Sequence, residues 1–93
     1  MEKKFAWDDE KNEWLKKNRD LSFEEVVVEI GRNLLDVREN KSKKHQDQKV
    51  FILLIDNYTW VVPFEESENE IRLVTAFPDR RLLKEFLDEN ETV

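Results

Sequence analysis

The spacing of apolar residues changes period several times along the chain, and each change predicts an element. Phe5-Ala6-Trp7 is an extended apolar lead-in, and Asp8 and Asp9 then offer an N-cap and first-turn negative charge for a helix. That helix is predicted over Asp9 to Asn18, with Trp7 stapled onto its following turn and Trp14-Leu15 as its buried stripe. Ser22 followed by Glu25 is a capping box for a second helix. Phe23, Val26, Val27, Ile30 and Leu34 then fall at i, i+3, i+4, i+7 and i+11, which lines one helical face. Gly31 and Asn33 are its stop signals.

From there the period shortens. Leu34 to Arg38 predicts a first strand, and Asn40 to Gln48 is a polar loop without an apolar residue. Lys49 to Ile55 is apolar at almost every position, as expected of a central strand covered on both faces, or by helices on one and a partner on the other. Asp56-Asn57 tolerates positive φ and predicts a two-residue hairpin into Tyr58–Phe64, with Pro63 near the strand end. Glu65 to Asn69 predicts an acidic loop and Ile71 to Phe77 a fourth strand. Pro78-Asp79 ends it and caps a last helix carrying Leu82, Leu83, Phe86 and Leu87. The predicted fold is therefore α+β, one domain over 1–93 in the order α-α-β-β-β-β-α. The short later connections favour a four-stranded antiparallel meander.

Composition narrows the chemistry. Ninety-three residues allow one core, and 39% hydrophobic residues in dense clusters exclude a disordered chain despite 41% charged ones. There is no cysteine, hence no disulfide or thiolate metal site. Met1 to Phe5 has no apolar core of a secretory signal, and Val50 to Ile55 is too short to span a bilayer, so a cytoplasmic protein without a membrane association is expected. The net charge of −6 argues against a general nucleic-acid binder. Positive charge gathers instead at Lys41 to His45 with Lys49, and at Arg80-Arg81 with Lys84.

Those two clusters hold the candidate site. Arg80 enters a helix from a strand end, where a guanidinium can fork onto phosphate oxygens; the competing reading is a solvated helix start paired with Asp79 or Glu85. His45 is the only histidine, and its lysine-rich surroundings favour the neutral, proton-accepting form; as a lone loop histidine it is otherwise plain polar surface. Lys44 beside it is the further catalytic candidate; Lys43, Lys44 and Lys49 would attract phosphate or an acidic partner, and Arg81 and Lys84 would hold phosphate. Arg72 and Arg38 are candidates for an open sheet face. Tyr58 and Trp60 share a strand face and either stack bases or, as the better expectation, belong to the core. No glycine-rich phosphate loop, triad motif or metal-ligand spacing occurs, and no cofactor is expected.

The run Phe5-Ala6-Trp7-Asp8-Asp9-Glu10-Lys11-Asn12, followed by Leu21-Ser22-Phe23-Glu24-Glu25-Val26, resembles the opening of BrnT-type toxins, with its F-x-W-D-x-x-K-x-x-x-N-x-x-K-H-G-V-S-F-E-E-A pattern. Where that pattern has Lys-His-Gly, this chain has Asn18-Arg19-Asp20. Its usual S-A-R-x-A-T-x-x-E segment is Ala76-Phe77-Pro78-Asp79-Arg80-Arg81 here, and Arg80 best matches the family arginine. The resemblance implies a RelE-like fold and a metal-independent endoribonuclease that inhibits translation, the toxin of a type II toxin–antitoxin pair. It also implies RNA as substrate and a cognate antitoxin of ribbon-helix-helix or helix-turn-helix type, with operator DNA reached only through that antitoxin. The alternative is a non-catalytic binding module, either a degenerate toxin or an acidic regulator.

Overall fold

The computed structural model describes residues 3–39 and 48–88, the side chains of 87 and 88 excepted. Three helical segments and a six-stranded mixed sheet make an α+β fold. In chain order they are β1 (Lys4–Ala6), α1 (Asp9–Arg19), α2 (Phe23–Arg32), β2 (Leu34–Glu39), β3 (Lys49–Ile55), β4 (Tyr58–Glu66), β5 (Glu70–Leu73), β6 (Phe77–Pro78) and α3 (Arg80–Leu83), which continues as a π-helical turn, Lys84–Asp88. The sheet order is β1-β5-β4-β3-β2, with β6 also on β4.

Local chemistry sets the two N-terminal helices. Asp8 caps α1 by accepting from the Glu10 N–H at 2.9 Å. Ser22 caps α2 by accepting from the Glu25 N–H at 3.1 Å, and its hydroxyl donates to the Glu25 carboxylate at the same distance. Between them Asp20 adopts φ 52°, the left-handed conformation that ends α1 in a tight corner. Asn12 then clamps the helices together. Its Oδ1 accepts from the Phe23 N–H at 2.8 Å and its Nδ2 donates to Glu24 at 2.8 Å, with the side chain buried.

Leu15, Leu21, Phe23 and Val26 of this helical layer pack on Phe51, Leu53, Ile55, Val62, Phe64 and Leu73 of the sheet. Trp7 lies against Phe23 at 5.7 Å between ring centroids, and Phe51 stacks on Phe64 at 4.0 Å. The opposite sheet face carries Ile52, Val61 and Thr59, and α3 lies over it. The run Lys49–Ile55 is thus a central strand with helices on both sides, which is why it lacks polar alternation.

Several expectations are corrected. The sheet has six strands rather than four and is not purely antiparallel. The lead-in forms β1 and pairs parallel to β5, Phe5 opposite Ile71, a long-range pairing that no local pattern announces. The predicted fourth strand is broken. Phe64 pairs with Leu73 but Val61 with Phe77, so one extra residue is accommodated between β5 and β6. Glu65 and Glu66 extend β4 instead of forming a loop, and Pro63 is buried inside that strand. Gly31 lies within α2, whose C-cap is Asn33. Leu34 does not continue the helical face of α2; it opens β2, as its strand assignment predicts, and is 40% exposed. Trp14 is also 40% exposed, because Leu15 alone turns inward while the indole lies under Lys11 and Arg19 at 4.1 and 4.7 Å. The Asp56-Asn57 turn has positive φ at both residues, 53° and 64°, as its sequence requires. Among the described residues, no helix is long and apolar enough to cross a membrane.

Candidate functional site

The end of β6 fixes where α3 begins. The Asp79 N–H donates to the Thr59 carbonyl at 3.0 Å, and the Thr59 hydroxyl donates to the Asp79 carbonyl at 2.5 Å. The Asp79 carboxylate then caps α3 through the Arg81 N–H at 2.9 Å. From that anchor on β4 the segment crosses the sheet towards β2. There Glu85 accepts from Arg38 Nη2 at 2.6 Å, and the Arg38 guanidinium sits 5.3 Å from the Phe86 ring.

Between this segment and the sheet runs a groove of about 370 Å³ lined by Arg38, Glu39, Val50, Ile52, Val61, Asp79, Arg81, Leu82 and Glu85. Its floor is apolar and its rim carries both charges. Arg38 is gripped from two sides, by Glu85 and by Asp36 Oδ2 at 2.8 Å, and both partners raise its pKa, Glu85 the more. The same contact holds the Asp36 carboxyl below its ordinary value, with help from the Val37 N–H it accepts. Arg81 extends away from the rim, almost fully exposed, with Asp79 3.7 Å from its Nε.

The predicted site residues are distributed as follows. Arg80 and Lys84 are exposed on the same segment, and their side chains make no hydrogen bond or ion pair with any described residue. Lys49 lies at the far end of β3, paired with Phe64 in register and 3.7 Å from Glu66. Thr59, where α3 is anchored, and Phe64 are five residues apart on β4, about 17 Å at ~3.3 Å per residue. Arg80 and Lys49 are therefore not brought to one point. Arg72 lies opposite Glu65 on β5, beside a separate recess with Asp8 and Lys11. His45, Lys43 and Lys44 lie outside the described residues. Trp60 packs against the core and Tyr58 is half-buried beside Arg19 and Glu25 in a cleft of its own.

Two contacts at the site carry no signal in the sequence. Glu85 pairs not with the helix start but with Arg38, 47 positions earlier, and no local signal reveals such a partner. Arg19 donates to the Ala76 carbonyl at 2.5 Å and so braces the bend between β5 and β6 that leads into α3. Among the described residues, no group of three or more His, Asp or Glu side chains is arranged to hold a metal ion. Comparison with protein-family models, with curated proteins and with solved structures finds no match.

Proposed function

We propose that this chain is the toxin of a type II toxin–antitoxin pair, a BrnT-type endoribonuclease with a RelE-like fold, working in the cytoplasm and neutralised by a DNA-binding antitoxin. The observation that carries this reading is Asp20. The residues from Trp7 to Val26 align with the family pattern without a gap, and Asp20 falls where the pattern has glycine. It is one of the three non-glycine residues with positive φ among those described, the conformation that a glycine serves best. The pattern's other words have structural uses here that support the same register: Asp8 and Ser22 as caps, and Trp7 against Phe23.

The groove under α3 is the proposed cleavage site. RNA cleavage of this class needs an acceptor for the 2′-hydroxyl proton and cations at the five-coordinate phosphorus. Glu85 takes the proton, and the 2′-oxygen forms its bond to phosphorus. The bond to the 5′-oxygen breaks, and that oxygen leaves with a proton from solvent. Arg38 and Arg81 stabilise the charge on the phosphoryl oxygens, and Arg80 and Lys84 draw the flanking phosphates along the exposed side of the segment.

One observation favours the alternative, a non-catalytic binding module. Each arginine lining the groove already faces a carboxylate, so RNA must compete with Asp36, Asp79 and Glu85 for them. Induced expression in a bacterium without the neighbouring gene separates the two. The toxin reading expects growth arrest that Glu85→Gln and Arg81→Ala each relieve. Unimpaired growth with full-length, folded protein present, together with co-purification of the neighbouring gene product, establishes the binding module instead.

A further inference from the structure

The two edges of the sheet differ. β1 is three residues long and carries Lys4, with Lys3 just before it paired to Glu66 at 2.7 Å; a short, lysine-bearing edge resists pairing with another chain. β2, at the other edge, is six residues long. It holds Leu34 and Val37, exposed by 40% and 45%, two of the four exposed large hydrophobic residues among those described. No described strand pairs with its outer side.

The backbone of β2 is set for pairing at Val37. That residue faces Phe51 across the ladder, yet its N–H is donated to Asp36 Oδ1 at 2.8 Å. An antiparallel ladder alternates groups turned to the neighbour and groups turned away, so the Val37 N–H and carbonyl point off the sheet edge. The charges flanking it are opposite and equidistant from Val37, so the edge is complementary to its own reversed copy. Asp36 precedes it and Arg38 follows, both on the face that carries Ile52.

We propose that β2 is the seam of a symmetric dimer of this chain, two copies pairing antiparallel about a two-fold axis at Val37. In that register Val37 meets the partner's Val37, with two backbone hydrogen bonds between them. Asp36 stands opposite the partner's Arg38, and Leu35 opposite the partner's Glu39. The Asp36 carboxylate exchanges the Val37 N–H for the partner's guanidinium, so the edge donor and the carboxylate both keep a partner. Opposite charges directly across a ladder stabilise it and like charges oppose it, so a two-residue slip, which would bring Asp36 opposite the partner's Asp36 or Arg38 opposite the partner's Arg38, is disfavoured. The exposed valine and leucine are covered in the same step. The inference does not depend on the reaction proposed for the groove.

Sedimentation velocity on the full chain tests it over a dilution series reaching tens of micromolar. The expected result is a species of twice the 11.3 kDa chain mass, reverting to that mass in Val37→Lys. The chain lacks cysteine, so a single introduced thiol reports the register. Val37→Cys places two thiols across the axis, within disulfide reach, whereas Glu39→Cys leaves them four residues of strand apart, about 13 Å. Val37→Cys should oxidise to a covalent dimer at least tenfold faster than Glu39→Cys. A monomer at every concentration, a dimer unaffected by Val37→Lys, or equal oxidation of the two cysteine variants overturns the proposal.

Discussion

Asn12 does more for the fold than its exposed neighbours on α1, because both ends of its amide are used in a buried position. Asn12→Ala leaves the Phe23 N–H without its acceptor and should cost about 1–3 kcal/mol in urea denaturation. It also removes the hydrogen bond that is the main reason the Glu24 carboxyl sits below its ordinary value, so Glu24 should titrate higher in the variant by NMR. Asp20 is limited by its backbone. At φ 52° a β-branched side chain is strained, so Asp20→Val should cost ~1–2 kcal/mol while Asp20→Gly stays within ~0.5 kcal/mol of the parent. Equal stability of the two variants would remove the left-handed corner from the account. Both residues show what a sequence does and does not disclose. The caps Asp8 and Ser22 were legible because their partners lie two and three residues away, whereas Asn12 reaches 11 residues along the chain to Phe23.

Element by element, the helices and the β3–β4 hairpin were legible because periodicity, caps and the Asp56-Asn57 turn all act locally. β1 and the split of β5 from β6 were not, since each depends on pairing with a distant strand. The docking of the π-helical turn on β2 is of the second kind. It rests on Arg38, gripped by Glu85 and Asp36, and it makes the stability respond to acid. Asp36 is held below its ordinary value of 3.8, so its contribution is complete above that pH and is lost as the pH falls through the lower folded-state value. Glu24 and Glu66, each held below 4.5 by Asn12 and Lys3 respectively, act in the same direction. Stability measured by denaturant should therefore decline from about pH 4.5 downwards. In Arg38→Ala the decline should be shallower, because Asp36 loses its main partner. An unchanged slope would show that the Arg38 contact leaves Asp36 unperturbed.

For the molecule as a whole, the sequence marks positive charge in the terminal segment but does not say which residues that segment meets. Arg80 and the Lys49 end of β3 do not meet, because strand rise separates the two levels by about 17 Å. The arginine that does share a groove with Arg81 is Arg38, and Glu85 lies between the two elements. Charge clusters in a sequence say nothing about which clusters meet, and that information enters only with the path of α3 across the sheet. With a net charge of −6, the proposed function requires RNA to be held by that local arrangement rather than by the overall field.

The direct test is incubation of the purified chain with single-stranded RNA in the presence of EDTA. Cleavage to fragments ending in 2′,3′-cyclic phosphate, reduced at least 100-fold in Glu85→Gln of unchanged stability, is the predicted result. RNA that stays intact, or is cut equally well by Glu85→Gln, would contradict the groove as the site of cleavage.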